Sequence, residues 1–311
     1  MSHLAESFLE RIKQSLNAID GDDPAQKETT DKIWHFTSMD GFLGILEKHC
    51  FYATNLGYMN DHSELVTGHR HVVGLLLNKL KRHSVSGEVL EHLYKKHIEH
   101  WRAPEFNAFA TCFCLLAVQL SQWRGYGKGV AVGFNRRGLE KISLPGLSLN
   151  RMWYVDVEDE DLKKYSPDAV ISGALEQSFQ GEDGPELQKA NGDVWSSILD
   201  GVLDLLKFRC KHGGFVEEYE WRLLYRRPTI GPALPIEFRA RSGMIVPFVK
   251  IGEGDNILSL IDWVSIGPMS DLDAFLVKQS LEMIKERYGL NFEISRSGIP
   301  FRSLSQRHEN S

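Results

Sequence analysis

A chain of 311 residues with 42% apolar and 25% charged side chains is ordinary globular material, long enough for one elaborate domain or two modest ones. Its formal net charge of -6 gives no global attraction to nucleic acid, so such a partner needs a local basic patch. No apolar run reaches bilayer length, and Met1 to Glu6 has neither the basic start nor the apolar stretch of a signal peptide, so the expectation is a cytoplasmic protein that engages no membrane. Cys50, Cys112, Cys114 and Cys210 are scattered, match neither a zinc site nor a disulfide framework, and read as small buried hydrophobes.

Leu4, Phe8, Leu9, Ile12, Leu16 and Ile19 recur at helical spacing and predict an amphipathic helix over 3–19 that packs on the body or on a partner. Residues 1–25 are taken as this helix and its linker, and 26–311 as a single α+β domain. Ile33 to Phe36 reads as a strand, Ser38 as an N-cap and Met39 to His49 as a helix. A strand over 51–54, a turn-rich loop, a helix over 62–83 capped by Asp61, and a helix over 86–102 follow. Strands are expected at 107–114, 129–134 and 149–157, with a helical turn or loop over 119–126. The acidic run Asp156 to Asp161 reads as a solvated loop, and residues 161–212 as helical pieces broken at Gly181 to Pro185.

Glu217 to Arg226 forms the most patterned strand. Alternation sets Glu218, Glu220, Arg222 and Arg226 opposite Tyr219, Trp221, Leu223 and Tyr225, with the two glutamates about 6.6 Å apart. The plain alternative is a surface-facing strand of a half-solvated sheet. Pro228, Pro232 and Pro235 then mark a loop before strands at 244–251 and 258–267. A helix over 271–288 is expected to bury Leu272, Phe275, Leu276, Leu281, Met283 and Ile284, and a strand at 290–295 completes a parallel crossover.

Three further segments carry chemical groups. In Trp34-His35-Phe36-Thr37-Ser38, His35 and Thr37 share one strand face, although a lone histidine is commonly a satisfied core residue. Tyr58 to Glu64 contains Asn60, with Asp61 and Glu64 spaced as a helix-capping box. Ser121-Gln122-Trp123-Arg124-Gly125-Tyr126-Gly127-Lys128-Gly129 gathers two aromatics, an arginine and three glycines in one turn, either a ligand platform or a tight, well-packed turn. Lys79, Lys81, Arg82 and His83 suit the last turn of a helix, where basic groups complement its dipole.

Taken in order, His35 to Ser38, Asn60-Asp61 with Glu64, Gln122 to Tyr126 leading to Gly129 to Phe134, Glu218 to Arg222, and Ser297 to Arg302 resemble the bacterial domain-of-unknown-function family 2971. Their order and spacing are also similar to ADP-ribosyltransferases, whose toxin types open with a strand histidine and close with a glutamate on a late strand. That resemblance implies a mixed, split β-sheet with flanking helices and transfer of ADP-ribose from NAD to a protein or nucleic-acid acceptor, as in a toxin or defence effector. It implies Glu220 as the carboxylate at the ribose and Glu218 as the group that orients the acceptor. His35 and Thr37 would hold the nicotinamide half, Trp123 or Tyr126 would stack on it, and Asn60 and Arg124 would be further ligand contacts. The chain departs from the pattern where Glu-x-Glu enzymes carry a first-strand arginine, here His35, and a serine-threonine-serine segment, here Ala110-Thr111-Cys112-Phe113.

Two other classes fit the same residues. Asp61, Glu64, Glu218 and Glu220 are hard oxygen ligands that suit a magnesium-dependent nuclease or hydrolase. A pocket of this kind also serves a nucleotide sensor without catalysis, with the N-terminal helix engaging a partner.

Overall fold

The computed structural model describes residues 2–22, 31–59, 64–100, 107–126, 129–155, 166–241, 243–254 and 256–299, apart from the side chains of 20–22, 64, 65 and 126. Two compact units emerge, the first from 1–29, 60–105 and 152–216, the second from 30–59, 106–151 and 217–311.

The first unit is helical. Its helices are His3–Asp22, Glu64–Arg82, Gly87–Tyr94, Pro167–Gln180, Gly184–Lys189 and Gly192–Leu206. Phe8, Ile12, Val72, Leu76, Trp195, Leu199 and Val202 lie in its dry core, where Phe8 and Trp195 meet edge to face with centroids 6.1 Å apart. The stripe at Ala5, Phe8 and Ile12 is thus consumed within the unit, against Pro167–Gln180 and Gly192–Leu206, rather than offered outward. The expected break appears as Gly181 ending one helix and Pro185 opening the next. The helix predicted over 86–102 instead passes from Gly87–Tyr94 into a π-helical turn, Lys95–Glu99. Asp61 and the acidic run at 156–161 lie outside the described residues.

The second unit is built on a mixed sheet. Its strands are β1 (Lys32–Thr37), β2 (Phe51–Asn55), β3 (Ala108–Cys114), β4 (Val130–Asn135) and β5 (Leu147–Arg151). A short pair, β6 (Trp153–Val155) and β7 (Cys210–His212), runs parallel in the first unit, so the strand expected over 149–157 is really two strands in different sheets. Four consecutive buried residues, Met152 to Val155, end the in-and-out alternation of β5 at that point. The main sheet continues with β8 (Glu220–Arg226), β9 (Glu237–Arg241), β10 (Met244–Ile251), β11 (Ile261–Ile266) and β12 (Glu293–Arg296). β9 occupies residues read as loop from the sequence, whose charged alternation suits an edge strand.

The order is β12-β11-β4-β1-β3-β2-β10-β9, with β8 on β3 and β5 on β8. β11 and β12 are parallel, as the intervening helix Asp271–Tyr288 requires, and the other pairs are antiparallel. The sheet forks at β3. One edge pairs β8 from Ala108↔Arg226 to Cys114↔Glu220, whereas the other meets β1 only at Trp34↔Cys114 and β2 only at Thr54↔Ala110 and Asn55↔Phe109.

The two faces differ in kind. Ile33, Phe51, Phe109, Phe113, Val132, Phe134, Trp221, Leu223, Tyr225 and Val264 build one continuous core. Register places Trp34, Cys112, Cys114, Glu220 and Arg222 on the opposite side. Ser38 caps the helix Met39–Lys48 by accepting from Gly41 N, as expected. The helix Asp271–Tyr288 matches the predicted span and, at Leu281 and Ile284, only part of the predicted face. It buries Ala274 and Leu281, while Leu272, Phe275, Leu276 and Met283 are all more than half exposed.

Candidate functional site

β8 is flanked by β3 and β5, so its backbone groups are taken on both edges and its side chains alone distinguish its faces. Glu220 and Arg222, two residues apart, project from the face away from the core, yet each is only 2% exposed. Arg222 donates from Nε to Oε1 of Glu220 at 2.7 Å and from Nη2 to Oε2 at 3.1 Å. This is a two-point, charge-assisted clamp that uses both carboxylate oxygens. Cys114 and Cys112 are their direct neighbours on β3, and Asn150 faces Arg222 from β5.

Glu218 is not in this row. The chain before β8 is a 3-10 segment, Gly213–Glu218, and Tyr219 follows with φ of 42°, a left-handed conformation costly for a bulky residue. That turn breaks the strand expected from 217 onward, so the strand-derived 6.6 Å spacing of the two glutamates does not apply. Nothing in the residue types of Glu218-Tyr219-Glu220 signals such a turn.

The aromatic and glycine-rich segment lies on the Glu220 side. It forms the helix Leu120–Tyr126, whose Trp123 is fully buried against Phe36, Cys114 and Ala131. Trp123 meets Phe36 edge to face at 4.9 Å and donates Nε1 to the Ala117 carbonyl at 3.2 Å. Its ring is a packing element and has no free face for a planar ligand. Arg124, one residue on, is exposed, and the Tyr126 side chain lies outside the described residues. Two contacts tie this helix and β3 to the Glu220 segment: Gln119 Nε2 donates to Glu217 O, and Leu115 N donates to Tyr219 O at 3.2 Å. Neither Gln119 nor Leu115 stood out in the sequence. Gly129 serves a close approach, since a Cβ there would lie 2.0 Å from Thr37 O.

His35 and Thr37 lie on the other face. Because Trp34 pairs with Cys114, whose neighbour is Glu220, parity along β1 turns His35 and Thr37 towards the core side. The His35 ring meets Phe113 at 5.6 Å and Phe51 at 6.2 Å, and its Nδ1 lies 2.8 Å from Cys112 O. A carbonyl only accepts, so Nδ1 carries the proton and Nε2 is left as an acceptor. Burial lowers the His35 pKa, the Cys112 bond opposes that, and the positive charge of Arg239 lowers it further, so the ring is neutral. In effect His35 fills the fork where β1 and β3 stop pairing. Thr37 is buried, with a Cβ at Gly41 falling 2.1 Å from its Oγ1.

The structure therefore gathers Glu220, Arg222 and the Arg124-bearing helix on one face and separates His35 and Thr37 from them. Asn60 and Asp61 lie outside the described residues, as does the Glu64 side chain. Among the described residues, no group of three or more His, Cys, Asp or Glu could hold a metal ion. No helix there is long and apolar enough to cross a membrane. No protein-family model and no curated protein matches this chain.

Chemically, the Glu220 face offers a desolvated carboxylate fixed in position by a guanidinium, beside a helix with an exposed arginine. Negative charge held in place at low dielectric is suited to stabilising a cationic centre. The exposed guanidinium of Arg124 is suited to phosphate oxygens.

Proposed function

We propose that this chain is an ADP-ribosyltransferase-like protein of the bacterial domain-of-unknown-function family 2971, using NAD as substrate on the Glu220 face of the forked sheet. The observation that carries the reading is the buried Glu220 carboxylate, clamped by Arg222, on the same face as the Leu120–Tyr126 helix. Loss of nicotinamide leaves an oxocarbenium-like ribose resembling the transition state of glycoside cleavage. Glu220 stabilises that charge, Arg222 keeps its carboxylate oriented, and Arg124 meets the pyrophosphate. His35 and Thr37 lie on the opposite face and take no part in this reading, a revision of the set implied by family resemblance. The acceptor is a macromolecule, protein or nucleic acid.

Nicotinamide release from NAD by purified protein, with and without chelator, tests the reading. Release that survives chelation and is lost in Glu220→Gln and weakened in Arg124→Ala is the expected result. Absence of NAD binding by calorimetry overturns it, and loss of release on chelation alone turns attention to magnesium and the carboxylates. The engagement of both Glu220 oxygens by Arg222 favours a second reading, a nucleotide sensor without turnover. NAD binding that depends on Arg124 but leaves NAD intact on prolonged incubation identifies that case.

A further inference from the structure

Gln119 is the residue before the Leu120–Tyr126 helix and is only 6% exposed. Its amide nitrogen donates to Glu217 O, and because a carbonyl only accepts, that bond fixes which way round the amide sits. Oε1 is then directed elsewhere, buried, and no described residue donates to it. A buried acceptor without a donor has lost its hydration uncompensated, and such an atom in a folded protein calls for a partner. Thr111 Oγ1 and Trp221 Nε1 are also buried without a hydrogen-bond partner among the described residues, but Thr111 pairs with Leu223 on the core side and Trp221 lies in the core itself. Gln119 belongs instead to the connection that leads from β3 into the helix packed on the Glu220 side.

The same bond ties Gln119 to the candidate carboxylate. Glu217 lies three residues before Glu220, so their Cα atoms are at most about 11 Å apart, and the 3-10 segment ending at Glu218 and the left-handed Tyr219 shorten that path. Leu115 N, donating to Tyr219 O at 3.2 Å, holds the same stretch from the start of the connection. Gln119 Oε1 and the Glu220 carboxylate are thus two acceptors held by one short segment, the first neutral and the second charged. In NAD the carboxamide nitrogen and the anomeric carbon of the adjoining ribose are joined through five bonds of roughly 1.4 Å, a separation of at most about 7 Å. That is the scale of the distance between the two acceptors. Because Oε1 can only accept, its partner must offer an N–H or O–H, which a primary amide does and a carboxylate does not.

We propose that Gln119 reads the carboxamide of NAD, accepting a hydrogen bond at Oε1 from the carboxamide N–H while Glu220 faces the ribose. This role rests on the NAD reading of the Glu220 face and adds a discrimination to it. A dinucleotide with a carboxylate in place of the amide brings no donor to Oε1 and sets acceptor against acceptor.

Calorimetric titration of the full chain with NAD and with nicotinic acid adenine dinucleotide, in which a carboxylate replaces the carboxamide, tests it. Wild type is expected to bind NAD at least about tenfold more tightly, the penalty of one unpaired buried hydrogen-bonding group. Gln119→Met keeps the length of the side chain and removes the acceptor, so the two affinities should become roughly equal. Loss of the Glu217 bond in that variant weakens both ligands alike, so a purely structural role for Gln119 moves both affinities and leaves their ratio where it was. Equal affinities in wild type overturn the assignment whether or not the variant folds. A wild-type preference that survives in Gln119→Met overturns it as well and leaves the NAD reading standing. Failure of wild type to bind either dinucleotide overturns the NAD reading itself, and the Gln119 role with it.

Discussion

Removing Arg222 while leaving Glu220 is the sharpest test of how the Glu220 face is held together. Both side chains are 3% exposed, so the pair is almost wholly desolvated and the two-point contact offsets part of each charge's burial. Arg222→Met keeps a stem of similar length and strips the carboxylate of the 2.7 and 3.1 Å donors. Breaking a buried pair from one side costs roughly 3–5 kcal/mol, a large share of the 5–15 kcal/mol typical of a folded protein. At about 2–4 °C per kcal/mol for a unit of this size, the melting point should fall by roughly 6–20 °C. Glu220→Leu should cost a similar amount by removing both carboxylate acceptors from the guanidinium. The double variant Glu220→Leu/Arg222→Met removes both charges together, and the double-mutant cycle should give a coupling of several kcal/mol between them. Urea unfolding of all four proteins, followed by circular dichroism, measures it. Single variants that each lose less than about 1 kcal/mol would behave as a surface pair does and refute the argument. Glu220→Gln retains one acceptor for Arg222, so its cost should be smaller, about 1–3 kcal/mol, and activity comparisons should be made well below its melting point.

Two further predictions concern the helical unit. His97 is buried, accepts or donates to Ser196 Oγ at 3.2 Å, and has its pKa lowered to about 4, by burial first, with Asp200 opposing and Lys96, His69 and His92 adding to the fall. The 3.7 Å approach of Asp200 is therefore not an ion pair at neutral pH. A folded-state pKa below the unfolded value near 6.5 means the contribution is intact above about pH 6.5 and is lost as pH falls towards about 4. The loss is bounded at about 3 kcal/mol from about 1.4 kcal/mol per pH unit, and His97→Gln should flatten that part of the stability profile measured by urea unfolding. An unchanged profile in the variant would assign the acid sensitivity elsewhere. In the helix Glu64–Arg82, a Cβ at Gly68 would lie 2.2 Å from Lys207 O, whereas Gly74 has nothing within 4 Å. Gly68→Ala should thus destabilise by about 1–3 kcal/mol and Gly74→Ala stabilise by up to about 1 kcal/mol. Thermal unfolding that shifts both variants in the same direction would contradict this packing.

Several local features of this chain are legible without its structure because they depend on near neighbours. Helical spacing from Leu4 to Ile19, the Ser38 cap, the break at Gly181 to Pro185 and the span Asp271–Tyr288 are of this kind. So is the parity that places Glu220 and Arg222 on one face of β8 and His35 and Thr37 on one face of β1. Period-two alternation says which residues of a strand agree with each other, but not which face of one strand matches which face of the next.

That second relation is non-local, and here it changes the site. The single pair Trp34↔Cys114, together with Cys114↔Glu220, sends Glu220 and His35 to opposite faces, and shifting either register by one residue would reunite them. The left-handed Tyr219 removes Glu218 from the strand for a reason its sequence neighbours do not announce. Trp123 likewise reads as an aromatic available for stacking until Phe36, Cys114 and Ala131 close around it. In the helix Asp271–Tyr288, two apolar stripes satisfy the same periodicity, and only packing on the sheet decides that Ala274 and Leu281 go inward while Leu272 and Met283 stay outside. The sequence by itself determined most of the helices and the parity within the strands it located, because those follow from backbone geometry a few residues long. Tertiary structure alone decided which charged and apolar groups meet, because that depends on pairings between residues as distant as Trp34, Cys114 and Glu220.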